Sequence, residues 1–183
     1  MDGSDTGRLG GRLALFVGAL LCVLLVLSAV LFVWPPTDRP QHVDAILSLN
    51  GPDEAARRAE AIKLAARGLA PVLLFSQGTL PPDLVVELCP QVPGVKVVCF
   101  SPVPARTVGE VEFAARYLRN HGLHSVMVVP GRSQALRARL LMSRCFRGRI
   151  VVVGGPEALP QIPGGVVYEW GALLKALLVH RGC

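Results

Sequence analysis

The chain predicts an α/β domain built on a parallel sheet with helices on both faces, preceded by one transmembrane helix. Three observations carry this. Leu13 to Trp34 is an apolar run without a single charge. Beyond it, short Val/Leu/Ile-rich runs alternate with helix-length segments of about a dozen residues, the order that sets strands side by side in a parallel sheet. Within that series, Ser125 to Val129 (SVMVV) lacks any apolar/polar alternation, as expected of a strand covered on both faces.

The run Leu13 to Trp34 is long enough to cross about 30 Å of hydrocarbon as a helix. It closes on Trp34 and Pro35-Pro36, an interfacial aromatic followed by a helix stop. A cleaved signal peptide fits less well, because the apolar core is too long and no A-x-A-like site follows it. Residues 13–34 therefore read as an uncleaved signal anchor in a cell membrane. Arg8 and Arg12 against Arg39 favour a cytoplasmic tail over residues 1–12 and an extracytoplasmic domain over 43–183, joined by a short polar linker at 35–42.

In the domain, Val43 to Leu49 is the first strand and Asn50-Gly51-Pro52 its closing turn. Asp53 and Glu54 suit the first turn of a helix that runs to Arg67 and stops at Gly68. Val72 to Phe75 is the second strand, closed by Ser76-Gln77-Gly78, and a short helix spans Asp83 to Leu88. The third strand is Val95 to Phe100, and a proline-bearing loop leads to a helix from Thr107 to Asn120. Ser125 to Val129 is the fourth strand, with a basic helix from about Ser133, and Ile150 to Val153 the fifth. A Gly/Pro-rich connection, a short strand at Val166 to Tyr168 and a last helix from Trp170 to Val179 complete the chain. The sum is a three-layer, Rossmann-like sheet.

Composition narrows the partners. With 51% apolar residues a sizeable core is available, and the net charge of +6 lies wholly beyond the apolar run, because Asp2 and Asp5 cancel Arg8 and Arg12. Nucleic acid is the weakest partner for such a domain, since its few aromatics do not interleave with the arginines. Cys22 falls in the membrane span, leaving Cys89, Cys99, Cys145 and Cys183, an even set that permits disulfides in an oxidising compartment. Cys89 and Cys99 are neighbours across a short helix-to-strand connection and form the first pair to expect; four buried thiols are the alternative. No Cys/His spacing points to a metal.

In a parallel sheet ligands bind beyond the carboxyl ends of the strands, where the following helices start. The segments there hold Asn50, Gly51 and Arg57, then Ser76, Gln77 and Gly78, then Thr107 and Glu110, and finally Gly131, Gln134 and Arg137. Gln134, Arg137, Ala138, Leu141 and Cys145 share one helical face, so Arg137 stands where the buried stripe runs out, beside free helix N–H groups. Arg57 stands likewise above Ala61, Leu64 and Ala65. Two such guanidinium groups suit an anionic, phosphorylated ligand, although Arg137 reads equally well as a solvated arginine. Thr107-Val-Gly-Glu110 matches a capping box, which would account for both polar residues without a ligand. His42, His121 and His124 precede strands, at the opposite edge, and His180 is near the C-terminus, so no Ser-His or Cys-His pair is at hand. Glu110 is the best candidate for a catalytic base, ahead of Asp53 and Glu54. Neither GxGxxG nor GxxxxGK[ST] follows the first strand, and no cofactor is expected.

The order and spacing of these motifs resemble the ElyC/SanA/YdcF family of bacterial Rossmann-like domains, several of which carry one N-terminal membrane anchor. VDAILSLNG matches the opening strand and glycine turn, Arg57 with Ala61 and Gly68 the R-x3-A…G helix, and Ser76-Gln77-Gly78 the S-G-G turn. Thr107 and Glu110 match the T-x-x-E element, and VVPGRSQALRA matches the V-T-S-x-x-H-x-x-R-A signature. Gln77 replaces a glycine, Pro130-Gly131 the T-S pair and Gln134 the signature histidine, while Arg137 is kept. The resemblance implies a polar pocket at the strand ends and a role in envelope and peptidoglycan homeostasis. An amide does not titrate, so Gln134 cannot transfer protons as a histidine would. The leading expectation is thus a bacterial membrane-anchored envelope protein that binds an anionic cell-wall or lipid-linked precursor. An active hydrolase using Glu110, and a structural envelope partner with a vestigial pocket, are the alternatives.

Overall fold

The computed structural model describes residues 4–51, 54–156, 162–179 and 182–183, and Asp53 and His180 lie outside them. Its centre is a five-stranded sheet of β1 (Ala45–Ser48), β2 (Val72–Ser76), β3 (Lys96–Phe100), β4 (Ser125–Val129) and β5 (Arg149–Val152). The order is β3-β2-β1-β4-β5 and every pairing is parallel, with Ala45 opposite both Val72 and Val126. Each residue of β1, β2 and β4 is buried, the consequence of helices on both faces.

Side chains alternate between two apolar clusters. On one face Ile46, Leu73 and Met127 meet Ala61, Leu64 and Ala65 of α2 (Glu54–Ala66). On the other, Leu47, Leu74 and Val128 meet α4 (Thr107–Asn120) and α5 (Ala135–Cys145) through Val111, Ala115, Ala138 and Met142. The short α3 (Pro82–Glu87) leads to β3, and a Cys89–Cys99 disulfide ties the segment after it to that strand. A second disulfide joins Cys145, at the end of α5, to Cys183.

One expectation is corrected. Val166 to Tyr168 is not a strand but part of α6 (Ile162–Leu178), which seats Leu173 and Ala176 against the domain. That helical burial outweighs the local β preference of Val-Val-Tyr. Within residues 35–42, Asp38 runs beside β5: its N–H donates to the Val152 carbonyl at 2.7 Å, and its carboxylate accepts from Val152 N–H and Arg139, both at 2.8 Å. Burial works against the Asp38 charge, but these donors prevail and hold its pKa below the ordinary carboxylate range. The helix at the N-terminus starts before the apolar run. It is α1 (Ser4–Ser28), continued by a π-helical turn over Ala29–Val33. Gly10–Val33 is long and apolar enough to cross a membrane.

Candidate active site

Strand order reverses between β1 and β4, which opens a crevice at their carboxyl ends. A cavity of about 900 Å³ lies there. Asn50, Gly51, Arg57, Gly78, Thr107, Glu110, Gly131, Gln134 and Arg137 all line it. Ser76 and Gln77 do not. Gln77 turns its amide away to donate to the Val85 carbonyl at 3.1 Å, which anchors the α3 segment.

Arg57 is fully buried, and its Nη1 donates to Gln134 Oε1 at 3.0 Å. Gln134 Oε1 also accepts from the Gly131 N–H at 3.3 Å, so one amide joins the turn after β4 to the helix after β1. Backbone packs tightly around this pair. Gly51 has φ of +139°, and a Cβ there would lie 2.7 Å from Gln134 Nε2. Only glycine combines that conformation with that approach.

The expected capping box is absent. Arg106 is the N-cap of α4 and makes no side-chain cap bond, so Thr107 already lies inside the helix. With the helix starting one residue earlier than that motif requires, both polar side chains turn into the crevice. Thr107 Oγ1 accepts from Arg137 Nη1 at 2.7 Å, and Glu110 Oε1 accepts the Asn50 N–H at 2.7 Å. The Ser76 hydroxyl lies against the Glu110 carboxylate but outside good hydrogen-bond geometry. Burial pushes the Glu110 pKa up, opposed by Ser76, the Asn50 N–H and the charges of Arg57 and Arg137.

Arg137 is not a solvated arginine. Its Nε and Nη2 donate to the two oxygens of Glu169 on α6 at 2.8 and 2.7 Å, a planar fork with both partners buried. Burial disfavours the Arg137 charge, yet the Glu169 carboxylate outweighs it and raises the pKa. Sequence reasoning missed Glu169 and the wall that α6 gives the cavity. One signal was present: Glu169 is the lone carboxylate in a helix whose one other charged residue is Lys175.

Two further cations line the cavity, Arg106 and Lys175, both exposed at its rim. Among the described residues, four cationic side chains thus face two carboxylates, Glu110 and Glu169. Glu54 forms a surface pair with Arg58 and is not among the lining residues. His42, His121 and His124 stand before β1 and β4, at the far edge of the sheet.

No family model, curated protein or solved structure matches the chain. The positive excess among the described residues lining the cavity, and the N-termini of α4 and α5 opening on it, suit an anion. Among the described lining residues, Glu110 is the one buried carboxyl without a fork partner, which suits proton transfer.

Proposed function

We propose that the chain is a single-pass bacterial envelope protein of the ElyC/SanA/YdcF type, whose domain lies outside the cytoplasm and binds a phosphorylated cell-wall or lipid-linked precursor. The observation that carries this reading is the excess of cationic side chains around a cavity of about 900 Å³ at the strand-order reversal. Arg106 and Lys175 meet the anion at the rim, while Arg57 and Arg137, fixed by Gln134 and Glu169, set the positive field behind it. Two disulfides support an oxidising compartment, and the membrane-length helix supports anchoring.

A hydrolase is the second reading, favoured by Glu110 alone. A buried carboxyl with a raised pKa, facing the cavity, is suited to take a proton from an attacking water. Glu110→Gln separates the two. A binder keeps its affinity for a short-chain prenyl diphosphate, because the amide oxygen still accepts from Asn50, whereas an enzyme loses phosphate release. Unchanged phosphate release by this variant would remove Glu110 from any catalytic role, and absence of diphosphate binding by the native chain would remove the leading reading.

A further inference from the structure

The outer face of α6 runs against the usual pattern for a surface helix. Its inward stripe carries Glu169, Leu173 and Ala176, while Val167, Leu174 and Leu178 form an outward stripe, 75%, 52% and 63% exposed. Polar residues belong on such a face in water. The helix is also tied to the end of α1. Trp170 Nε1 donates to Ser28 Oγ at 2.9 Å, and the buried Phe32 ring packs edge-on against the Trp170 ring with centroids 5.3 Å apart.

This attachment fixes depth. Ser28 lies six residues before Trp34, roughly 9 Å along a helix rising 1.5 Å per residue. Trp34, 71% exposed, marks the headgroup level if α1 crosses a bilayer. Trp170 then sits on the lipid side of that level, and the apolar stripe of α6 has no water to face. Tyr168 and Lys175 flank the stripe, the residue types that sit at a membrane surface with an apolar stem and a polar tip.

We propose that α6 lies in the outer interface of the bilayer crossed by α1, as a second membrane contact, and holds the cavity mouth among the lipid headgroups. Val167, Tyr168 and Lys175 belong both to α6 and to the cavity wall, so the cavity takes a phosphate carried on a lipid whose chain stays in the leaflet. This deepens the binding reading and rests on its placement of α1 in the membrane.

The test uses the full chain with Cys22→Ser, the free thiol of the span, removed. Leu174→Cys, Leu178→Cys and, on the opposite sheet face, Lys63→Cys are each labelled with an environment-sensitive fluorophore in phosphatidylethanolamine–phosphatidylglycerol vesicles. Lipid-borne spin labels are expected to quench the two α6 positions several-fold more than Lys63→Cys, and aqueous iodide several-fold less. Equal access of iodide to all three positions, with the chain still floating with the vesicles, overturns the inference and leaves anchoring intact. Shielding with energy transfer between labelled chains that rises with protein density assigns the face to a second copy and also overturns it. A chain that does not float fails both readings. Leu174→Glu with Leu178→Glu is further expected to weaken binding of a membrane-embedded polyprenyl diphosphate several-fold while leaving inorganic pyrophosphate unchanged. An equal effect on the two ligands contradicts the lipid-borne substrate.

Discussion

Arg137 and Glu169, 32 residues apart, meet through two parallel hydrogen bonds of 2.8 and 2.7 Å in the interior of the domain. The pair joins the base of α5 to α6 and so closes one side of the cavity. Removing one partner leaves the other charged and buried. Glu169→Ala is therefore expected to destabilise the protein by about 3–5 kcal/mol, whereas Arg137→Met with Glu169→Leu costs less than the sum of the single changes. Chemical unfolding of the full chain in detergent measures both, and strictly additive effects would contradict the pairing.

Glu110 sets a pH dependence whose sign follows from its raised pKa. The folded state holds this proton more tightly than the unfolded chain, so the contribution is fully present below the ordinary value of 4.5 and is lost as pH rises through the folded value. Glu110→Gln is neutral throughout. Its stability relative to the native chain is expected to improve from pH 4.5 upward, read from melting curves across pH. Parallel curves would show that the carboxyl titrates as if exposed.

Gly51 is the position where backbone and pocket are hardest to separate. Gly51→Ala forces a side chain into φ of +139° and onto Gln134. A loss of about 1–3 kcal/mol is expected, with weaker ligand binding because Gln134 no longer holds Arg57. Native stability in this variant would mean that the turn relaxes freely.

The two disulfides are expected to contribute unequally. By loop closure, Cys89–Cys99, with a separation of 10, stabilises by about 3 kcal/mol, and Cys145–Cys183, with a separation of 38, by about 4 kcal/mol. Paired Cys→Ser variants melted without reductant test the order. Alkylation of the chain in intact cells tests the compartment, since both pairs resist the reagent only where thiols are oxidised.

The strands were legible because parallel strands buried on both faces must read as unbroken apolar runs, as Ser125 to Val129 does. Arg57 and Arg137 were legible because each tops a buried helical stripe. Cys89 with Cys99 was legible from nearness in the chain. The remainder depended on partners distant in sequence. Thr107 and Glu110 match a capping box locally, and only Arg137 and Asn50, from other elements, draw them into the crevice. Val166 to Tyr168 favours a strand locally, and only burial of Glu169 and Leu173 against the domain makes it helical. Asp38 looks like part of a polar linker until the edge of β5 lies beside it.

The proposed function stands or falls on recognition, by the cavity, of a phosphorylated group on a lipid carrier. The most direct measurement is a paired titration of the full chain in nanodiscs with a polyprenyl diphosphate and with the matching polyprenol. The diphosphate is expected to bind about tenfold or more tightly, a difference of about 1.4 kcal/mol or more, and that preference is expected to fall with salt and with Arg106→Gln combined with Lys175→Gln. Equal affinity for the neutral alcohol, or a preference indifferent to these two rim cations, would contradict it.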